Sequence, residues 1–571
     1  MTYLQFDFHK KTKIFASPDR IIQAYTIEDV IPALTEVQEA VHLGYYAAGY
    51  LSYESAPAFE NVMVAHSNNK MPLLWFGIYS EVKMGSKYHK MDSFHKSNWY
   101  MDTEKHHYDN AIKFIKNQIE LGNTYQVNYT IRMHSEFKGD PFSYYQQLAN
   151  SQSAYYSAYL DLGEHKILSA SPELFFHLKE GKIKTKPMKG TIARGKSDME
   201  DQENSRWLYH SEKNRAENVM IVDLLRNDLG IISKPGSVKV PELFSIEQYP
   251  TVYQMTSTVT GEIADNKDIV DIFKALFPCG SITGAPKINT MKIINQLETS
   301  PREVYCGAIG YITPDQEAIF NVPIRTVIIG EDGKASYGVG GGITWDSDAE
   351  DEYHEVLTKA KILSNSRKEF QLIETIGLKS GKLIVLDEHL ERLKNSANYF
   401  GFKVDVNKLR YDLLRLGEQH SEGDGKIRVL LDSNGNIVKE VLPLQPISIE
   451  KQKVSLAKIP VCKQDIFLYH KTTNRAVYEQ RLQESPDVFD VLLWNEQEEV
   501  TEFTRGNIVV ELDGERYTPP VSSGLLAGTY RKSLLQQGKI KERIIPKNQL
   551  PRYDRIWFIN SVREWIEVEF I

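Results

Sequence analysis

The sequence predicts an α+β chain of more than one domain. Three observations lead there. Its 571 residues exceed what one ordinary hydrophobic core organises. In the first 365 residues, strand-like runs and glycine turns alternate with helix-like segments. From about residue 370 the pattern begins afresh as strand, turn, strand and helix, which sets domains at 1–365 and 370–571. No Pro- or Gly-rich linker, internal repeat or low-complexity segment intervenes.

Composition narrows the function classes. With 41% hydrophobic and 25% charged residues, the chain reads as soluble and globular. A formal charge of −8 argues against a nucleic-acid partner, whose phosphates want a basic surface. A small anionic substrate needs only a local basic pocket. Cys279, Cys306 and Cys462 form no paired zinc or disulfide pattern, as expected of a reduced, cytoplasmic setting. Met1 to Lys13 lacks the apolar core of a secretory leader, and no apolar run is long enough to span a membrane.

Taken in order, residues 1 to about 100 offer packing and no evident chemistry. Tyr125-Gln126-Val127-Asn128 follows a glycine turn and opens a strand. Glu173 lies sixteen residues before Lys189, a spacing that suits adjacent strands of one hairpin. Pro187 and Gly190 bracket Lys189 as if at a turn. A lysine there is ordinarily a solvated charge, but a desolvated one loses its proton and becomes an amine nucleophile. A helix is expected over 214–230, with Val219, Val222, Leu225 and Leu229 as its apolar stripe, Gly230 as its stop and Glu217 off the stripe. The glycine-punctuated loop Pro278 to Lys287 opens a helix near Ile288, whose free amides can face an anion. Arg325 can grip a carboxylate bidentately. Gly340-Gly341-Gly342 can bring backbone amides close to another. A helix from about Ala349 to Leu363 puts Glu352, Glu355 and Lys359 on one face; as a mere surface ion pair this would contribute only ~0.3–0.5 kcal/mol.

These segments carry a resemblance. Pro187-Met188-Lys189-Gly190-Thr191, followed by Arg194-Gly195, looks like the substrate loop of the chorismate-utilising enzymes, in the branch that forms aminodeoxychorismate. Tyr125 to Asn128, Arg215 to Leu224, Pro278 to Lys287, Tyr305 to Tyr311 and Ile324 to Thr326 match in the same order. The resemblance implies that Lys189, held in its loop by Gly190 and Thr191, attacks the ring of chorismate, with Glu173 as acid and base. It implies that Tyr305, Arg325, Gly340, Gly341, Gly342 and Lys359 hold substrate and that Glu217 and Glu355 hold magnesium. Gln126 stands where water-adding relatives place a lysine base, which favours ammonia as the nucleophile. Gln254 departs from the histidine of several relatives. No Gly-x-Cys glutaminase segment is present, so a separate glutamine amidotransferase subunit is the expected ammonia source.

In the second half, strands are expected over 371–378 and 382–386 around the turn Ser380-Gly381. A helix capped by Asp387 should follow, with Leu390, Leu393, Ala397 and Phe400 as its stripe and Gly401 as its stop. Glu388 to Leu393, His470 to Arg475, Val500 to Thr504 and Thr518 to Arg531 together resemble fold-type IV pyridoxal-phosphate enzymes. That resemblance implies Lys471 as the Schiff-base lysine and Glu502 as the carboxylate facing the pyridine nitrogen. Arg392, Thr529 at a helix start and Ser561 would take the phosphate, and a homodimer would form through this domain. The two resemblances imply an N-terminal antiparallel β-sheet and helix fold followed by a fold-type IV α/β domain pair. They imply amination of chorismate, then elimination of pyruvate to leave 4-aminobenzoate. A branched-chain or D-amino-acid aminotransferase, or a non-catalytic dimerisation module, is the alternative for the second half.

Overall fold

The computed structural model describes residues 2–9, 11–85, 92–152, 154–364, 370–421, 423–447 and 450–571. The chain divides into two compact units, Met1–Ala193 with Ser205–Arg367, and Arg194–Asn204 with Lys368–Ile571. The boundary expected between 365 and 370 lies outside the described residues. The segment Arg194–Asn204, expected within the first domain, groups with the second.

Among the described residues, the first unit is built on an 11-stranded and a 10-stranded sheet, both antiparallel. Strand β1 (Gln126–Gly139) shows why a site can form there. Its period of two sends Val127, Tyr129, Ile131 and Met133 into an apolar core with Tyr108, Ile112 and Ile115. The alternate face carries Gln126, Asn128, Thr130 and Arg132, which are buried as well. Buried polar groups need partners: Thr130 donates to Glu298 through both its backbone N and its Oγ1.

Strands β2 (Leu174–Lys179) and β3 (Lys182–Lys186) form the hairpin that the Glu173–Lys189 spacing suggests. Lys189, however, sits in a further strand, β4 (Met188–Ala193), and not at a turn. Gly190 at φ +95° puts a register shift between Met188 and Thr191, so the strand bulges at the lysine. Helix α1 runs Glu212–Ile232, capped by Ser211 Oγ accepting from Asn214 N. It passes through Gly230, and its buried stripe is Asn218, Ile221, Val222, Leu225, Asp228, Leu229 and Ile232. Val219, expected on that stripe, is exposed. Both β3 and β4 pair with β5 (Val252–Glu262). Helix α2 (Lys287–Leu297) follows the glycine loop, and β6 (Lys334–Ile343) pairs with β1 from Lys334–Glu136 to Ile343–Val127. Helix α3 (Ala349–Ala360) is capped by Asp348, which accepts from the amides of Glu350 and Asp351.

In the second unit, β7 (Leu372–Lys379) turns at Ser380 and Gly381, both with positive φ. Helix α4 spans Leu386–Phe400. Its N-cap is Val385 in the left-handed region, so the cap expected at Asp387 is not formed. Asp387 falls in the first turn and pairs with Arg410 at 2.5 Å. Gly401 ends the helix at φ +73°, where a Cβ would be strained. Strands β8 (Val500–Phe503) and β9 (Gly506–Leu512) are adjacent and antiparallel, and α5 (Thr529–Gln536) starts after Gly528. Among the described residues, the unit holds a four-stranded antiparallel sheet and an eight-stranded mixed one, in which Gln452–Leu456 pairs parallel to two neighbours. No described helix is long and apolar enough to cross a membrane.

Candidate active sites

In the first unit, Glu173 leads into β2 and Lys189 follows β3, which places both at the open end of one hairpin. Glu173 is 3% exposed and accepts from Ser281 Oγ at 2.6 Å. Burial pushes its carboxyl up to about 7, against the opposing pull of that hydrogen bond and of Lys189. Burial likewise pushes the Lys189 amine down; Glu217 and Glu173 resist, while Lys359 adds to the depression. Lys189 Nζ has no hydrogen bond or ion pair within reach among the described residues. A neutral amine beside a protonated carboxyl is the state these environments favour.

Gln126 completes the spot. It is fully buried, and neither its Nε2 nor its Oε1 has a hydrogen-bond partner among the described residues. A Cβ added to Gly342 would meet Gln126 Nε2 at 2.1 Å and Lys189 Nζ at 2.9 Å. Gly342 therefore keeps open the space onto which amide and amine converge. Gly341 borders the α3 carboxylates, its added Cβ falling 3.2 Å from Glu352 Oε2 and 3.9 Å from Glu355 Oε1. Lys359 Nζ bonds Glu355 Oε1 at 2.7 Å and the Gly340 carbonyl at 2.8 Å. That lysine holds the Glu355 carboxyl below its usual range, whereas burial pushes Glu217 and Glu352 up. Glu217 and Glu355 each act electrostatically on Lys189 and on one another. No group of three or more ligating side chains converges among the described residues.

The remaining expected residues are less concentrated. Arg325 acts on the Glu173 charge while its Nη1 donates to Gln152 Oε1. Tyr305 is buried against Gly338 of β6, with the Arg132 guanidinium over its ring at 5.3 Å. Gly190 lies against Asn214 of α1, and Thr191 Oγ1 donates to Gln254 Oε1 at 3.0 Å. Ser281 is the residue that sequence reasoning missed. Its loop stood out for glycines and a helix start, and no spacing ties it to Glu173.

In the second unit, Lys471 Nζ is likewise without a described partner. Burial first, then Arg392 and Arg475, lower its amine to about 8. Glu502 on β8 is 4% exposed; its Oε1 accepts from Tyr478 Oη at 2.9 Å and Leu526 N at 3.1 Å, its Oε2 from Asn507 Nδ2 at 3.2 Å. Burial pushes this carboxyl up to about 7. Arg392 forks onto Glu374 of β7 through Nε at 2.8 Å and Nη2 at 2.6 Å, and its Nη1 reaches the Ala527 carbonyl at 3.3 Å. Thr529 Oγ1 and Ser561 Oγ converge on His389 Nε2 at 3.1 and 2.8 Å. The structure thus gathers Arg392, Thr529 and Ser561 around a Glu374–His389 pair. Neither member of that pair was singled out from sequence, although His389 lies inside the Glu388–Leu393 motif.

Comparison with known proteins adds two family matches: the chorismate binding enzyme profile over residues 86–365, and the amino-transferase class IV profile over residues 371–571. The chain is 40% identical over 263 residues to aminodeoxychorismate synthase component 1 of Salmonella typhimurium, covering 46% of this chain and 58% of that one. It is 42% identical over 253 residues to the Bacillus subtilis protein of the same name, covering 44% and 54%. It is 38% identical over 266 residues to anthranilate synthase component 1 of Aquifex aeolicus, covering 47% and 54%. The matched stretch thus spans a little over half the length of these relatives. Among solved structures, anthranilate synthase component I from Streptococcus pneumoniae superposes with a TM-score of 0.53 at 25% identity, over 64% of this chain and 90% of that one.

Proposed function

The chain joins a chorismate binding enzyme domain to a class IV amino-transferase domain, and from that premise we propose a bifunctional enzyme of 4-aminobenzoate formation. The first unit adds ammonia to chorismate to give 4-amino-4-deoxychorismate. The second eliminates pyruvate from it. One observation carries the reading furthest: the depressed Lys189 amine and the raised Glu173 carboxyl share the open end of one hairpin. Lowering the amine's proton affinity favours a nucleophile, and raising the carboxyl's favours a proton donor.

In the proposed first reaction, the Lys189 amine attacks ring carbon C2 as Glu173 protonates the departing C4 hydroxyl, which leaves as water. The ring double bonds shift between the two carbons. Ammonia then attacks C4, the double bonds shift back, and Lys189 leaves C2. Glu173, now a carboxylate, takes the proton that ammonia sheds, and Lys189 departs as the neutral amine, which restores the starting pair. Lys359 and Arg325 would grip carboxylates. Glu217 and Glu355 would hold magnesium, which needs few carboxylates beside water and ligand oxygens. Their fit rests on two acids of different elements that sense each other electrostatically. Magnesium there would neutralise substrate carboxylate charge.

The second site fits pyridoxal phosphate by its donor chemistry: an amine unpartnered among the described residues, a buried carboxylate, an arginine, and two hydroxyls, that of Thr529 at a helix start and that of Ser561 between two strands. Bound there, the cofactor would supply an electron sink. Glu502 would hold the pyridine nitrogen proton, and Arg392, Thr529 and Ser561 would orient the phosphate. The Lys471 amine, with its proton affinity lowered, would move the proton of substrate carbon C4 while pyruvate departs from C3. Aromatisation makes that step effectively irreversible.

The test is incubation with chorismate, ammonia, magnesium and pyridoxal phosphate, with product identification by mass. 4-Aminobenzoate and pyruvate are expected. Anthranilate or isochorismate would overturn the first assignment. Aminodeoxychorismate that persists, together with amino-acid/keto-acid exchange by the second unit, would make that unit an aminotransferase.

A further inference from the structure

His389 is among the buried ionisable side chains of the second unit to which the reading above gives no task. His389 on α4 is 1% exposed. Its Nδ1 lies 2.6 Å from Glu374 Oε2. Burial pushes that carboxyl up, but Arg392 and His389 outweigh it and hold the group down at about 2. Glu374 is therefore an acceptor, and Nδ1 carries a proton. Nε2 faces two hydroxyls, Ser561 Oγ and Thr529 Oγ1. Ser561 Oγ has a second outlet for its proton, the Thr375 carbonyl at 3.2 Å.

Each hydroxyl has one proton to give. A bare Nε2 draws such a proton inward, leaving lone pairs to face an incoming anion. An Nε2–H reverses the polarity: the hydroxyl oxygens accept from the ring, and their protons are free to point at a phosphate oxygen. A bare Nε2 has one lone pair and holds one of the two protons, so the charge on His389 decides whether one hydroxyl or both can donate to the anion.

We propose that His389 is a positioning residue of the phosphate cradle, taking up a solvent proton when a phosphate dianion enters and so freeing both the Ser561 and Thr529 hydroxyls to donate. This rests on reading the second unit as a pyridoxal-phosphate site. The charged groups that face His389 are Glu374 from β7, Arg392 from α4 itself, and Lys471 from its loop. Without ligand, burial, Arg392 and Lys471 favour the neutral ring, and Glu374 alone opposes them. A dianion beside the hydroxyls joins Glu374 and shifts the balance to imidazolium. Arg392 spends two of its five N–H groups on Glu374 and one on the Ala527 carbonyl, so the two hydroxyls add to the donors it keeps for a phosphate.

The experiment is calorimetric titration of the cofactor-stripped full chain, near pH 8, in two buffers of different ionisation enthalpy. Pyridoxamine 5′-phosphate is the probe, because its amine forms no bond with Lys471 and its phosphate is already dianionic at a pH about two units above its second pKa. Wild type should take up about one proton more with this ligand than with pyridoxamine, which lacks the phosphate. His389→Gln should lose that extra proton and bind the phosphate ligand about tenfold or more weakly, with pyridoxamine binding unchanged. The two-ligand comparison on wild type stands even if the variant does not fold. Equal uptake with both ligands, or an extra proton that persists in a folded His389→Gln protein, would overturn the proposal. Failure of wild type to bind pyridoxamine 5′-phosphate at all would overturn the cofactor reading, and this inference with it.

Discussion

At Lys189 and Glu173 burial outweighs charge pairing. Two oppositely charged groups in water would both stay ionised, but desolvation penalises each charge, and the pair is driven toward its neutral form. Incubation with chorismate and magnesium, without ammonia, should therefore trap a covalent adduct that peptide mapping places on Lys189. An unmodified Lys189 under turnover-competent conditions would remove it as nucleophile. Ser281 gives the second residue-scale prediction. Its hydroxyl stabilises the Glu173 carboxylate and so lowers a pKa that burial has raised. As a proton donor, Glu173 loses activity when pH rises through its pKa of about 7. Ser281→Ala removes the stabilisation, so the alkaline limb of kcat/KM should move upward by about one pH unit. An unmoved limb would mean that another group sets it.

At the scale of elements, the β1–β6 pair separates two uses of glycine. On Gly340 an added Cβ would meet the Tyr129 carbonyl at 2.0 Å and Thr130 Cα at 2.7 Å, both backbone. Gly340→Ala should force the strands apart and cost about 2–4 kcal/mol, read as a fall in Tm. On Gly342 the nearest atoms are the ends of Gln126 and Lys189, which can swing aside. Gly342→Ala should keep its Tm and lose about a hundredfold in amination rate, because the nucleophile is displaced. Equal stability losses in the two variants would contradict this division. The strand opening after the glycine turn at Gly122 was legible in sequence, as was the Glu173–Lys189 hairpin spacing. The helix over 214–230 was legible as an element but not in its buried face, because Val219 is apolar yet meets solvent, while Asn218 is buried by donating from Nδ2 toward Lys189 O at 3.5 Å and accepting from Ser257 Oγ at 2.5 Å. Periodicity ranks residues by polarity, and it cannot see which polar group will find partners.

For the whole molecule, the two motif sets predict separable half-reactions. Lys471→Ala should still consume chorismate and ammonia, accumulate aminodeoxychorismate and release little 4-aminobenzoate; an added independent lyase should restore product. Lost chorismate consumption in a folded Lys471→Ala protein would refute the division of labour. The purified chain should also use ammonia and ignore glutamine. Burial pushes the Cys279 thiol up to about 12 and that of Cys306 up to about 11, far from the thiolate a glutaminase nucleophile requires. Glutamine-dependent turnover without an added amidotransferase subunit would sink that expectation.

By itself the sequence determined the two-part α+β organisation, the order of the motifs and the lysines on which the chemistry is proposed to turn. The organisation follows from local pattern, namely strand period, turn glycines and residue spacing, whereas the motif order and the lysines' roles follow from the resemblance to known families. Tertiary structure decided what depends on contacts between distant segments. It brought Ser281 to Glu173, set Gln126 beside Gly342 with no partner among the described residues, and closed Glu374, His389, Thr529 and Ser561 into one network. It also decided ionisation, since a carboxyl near 7 and another near 2 have the same letter in the sequence, and only burial and neighbours tell them apart.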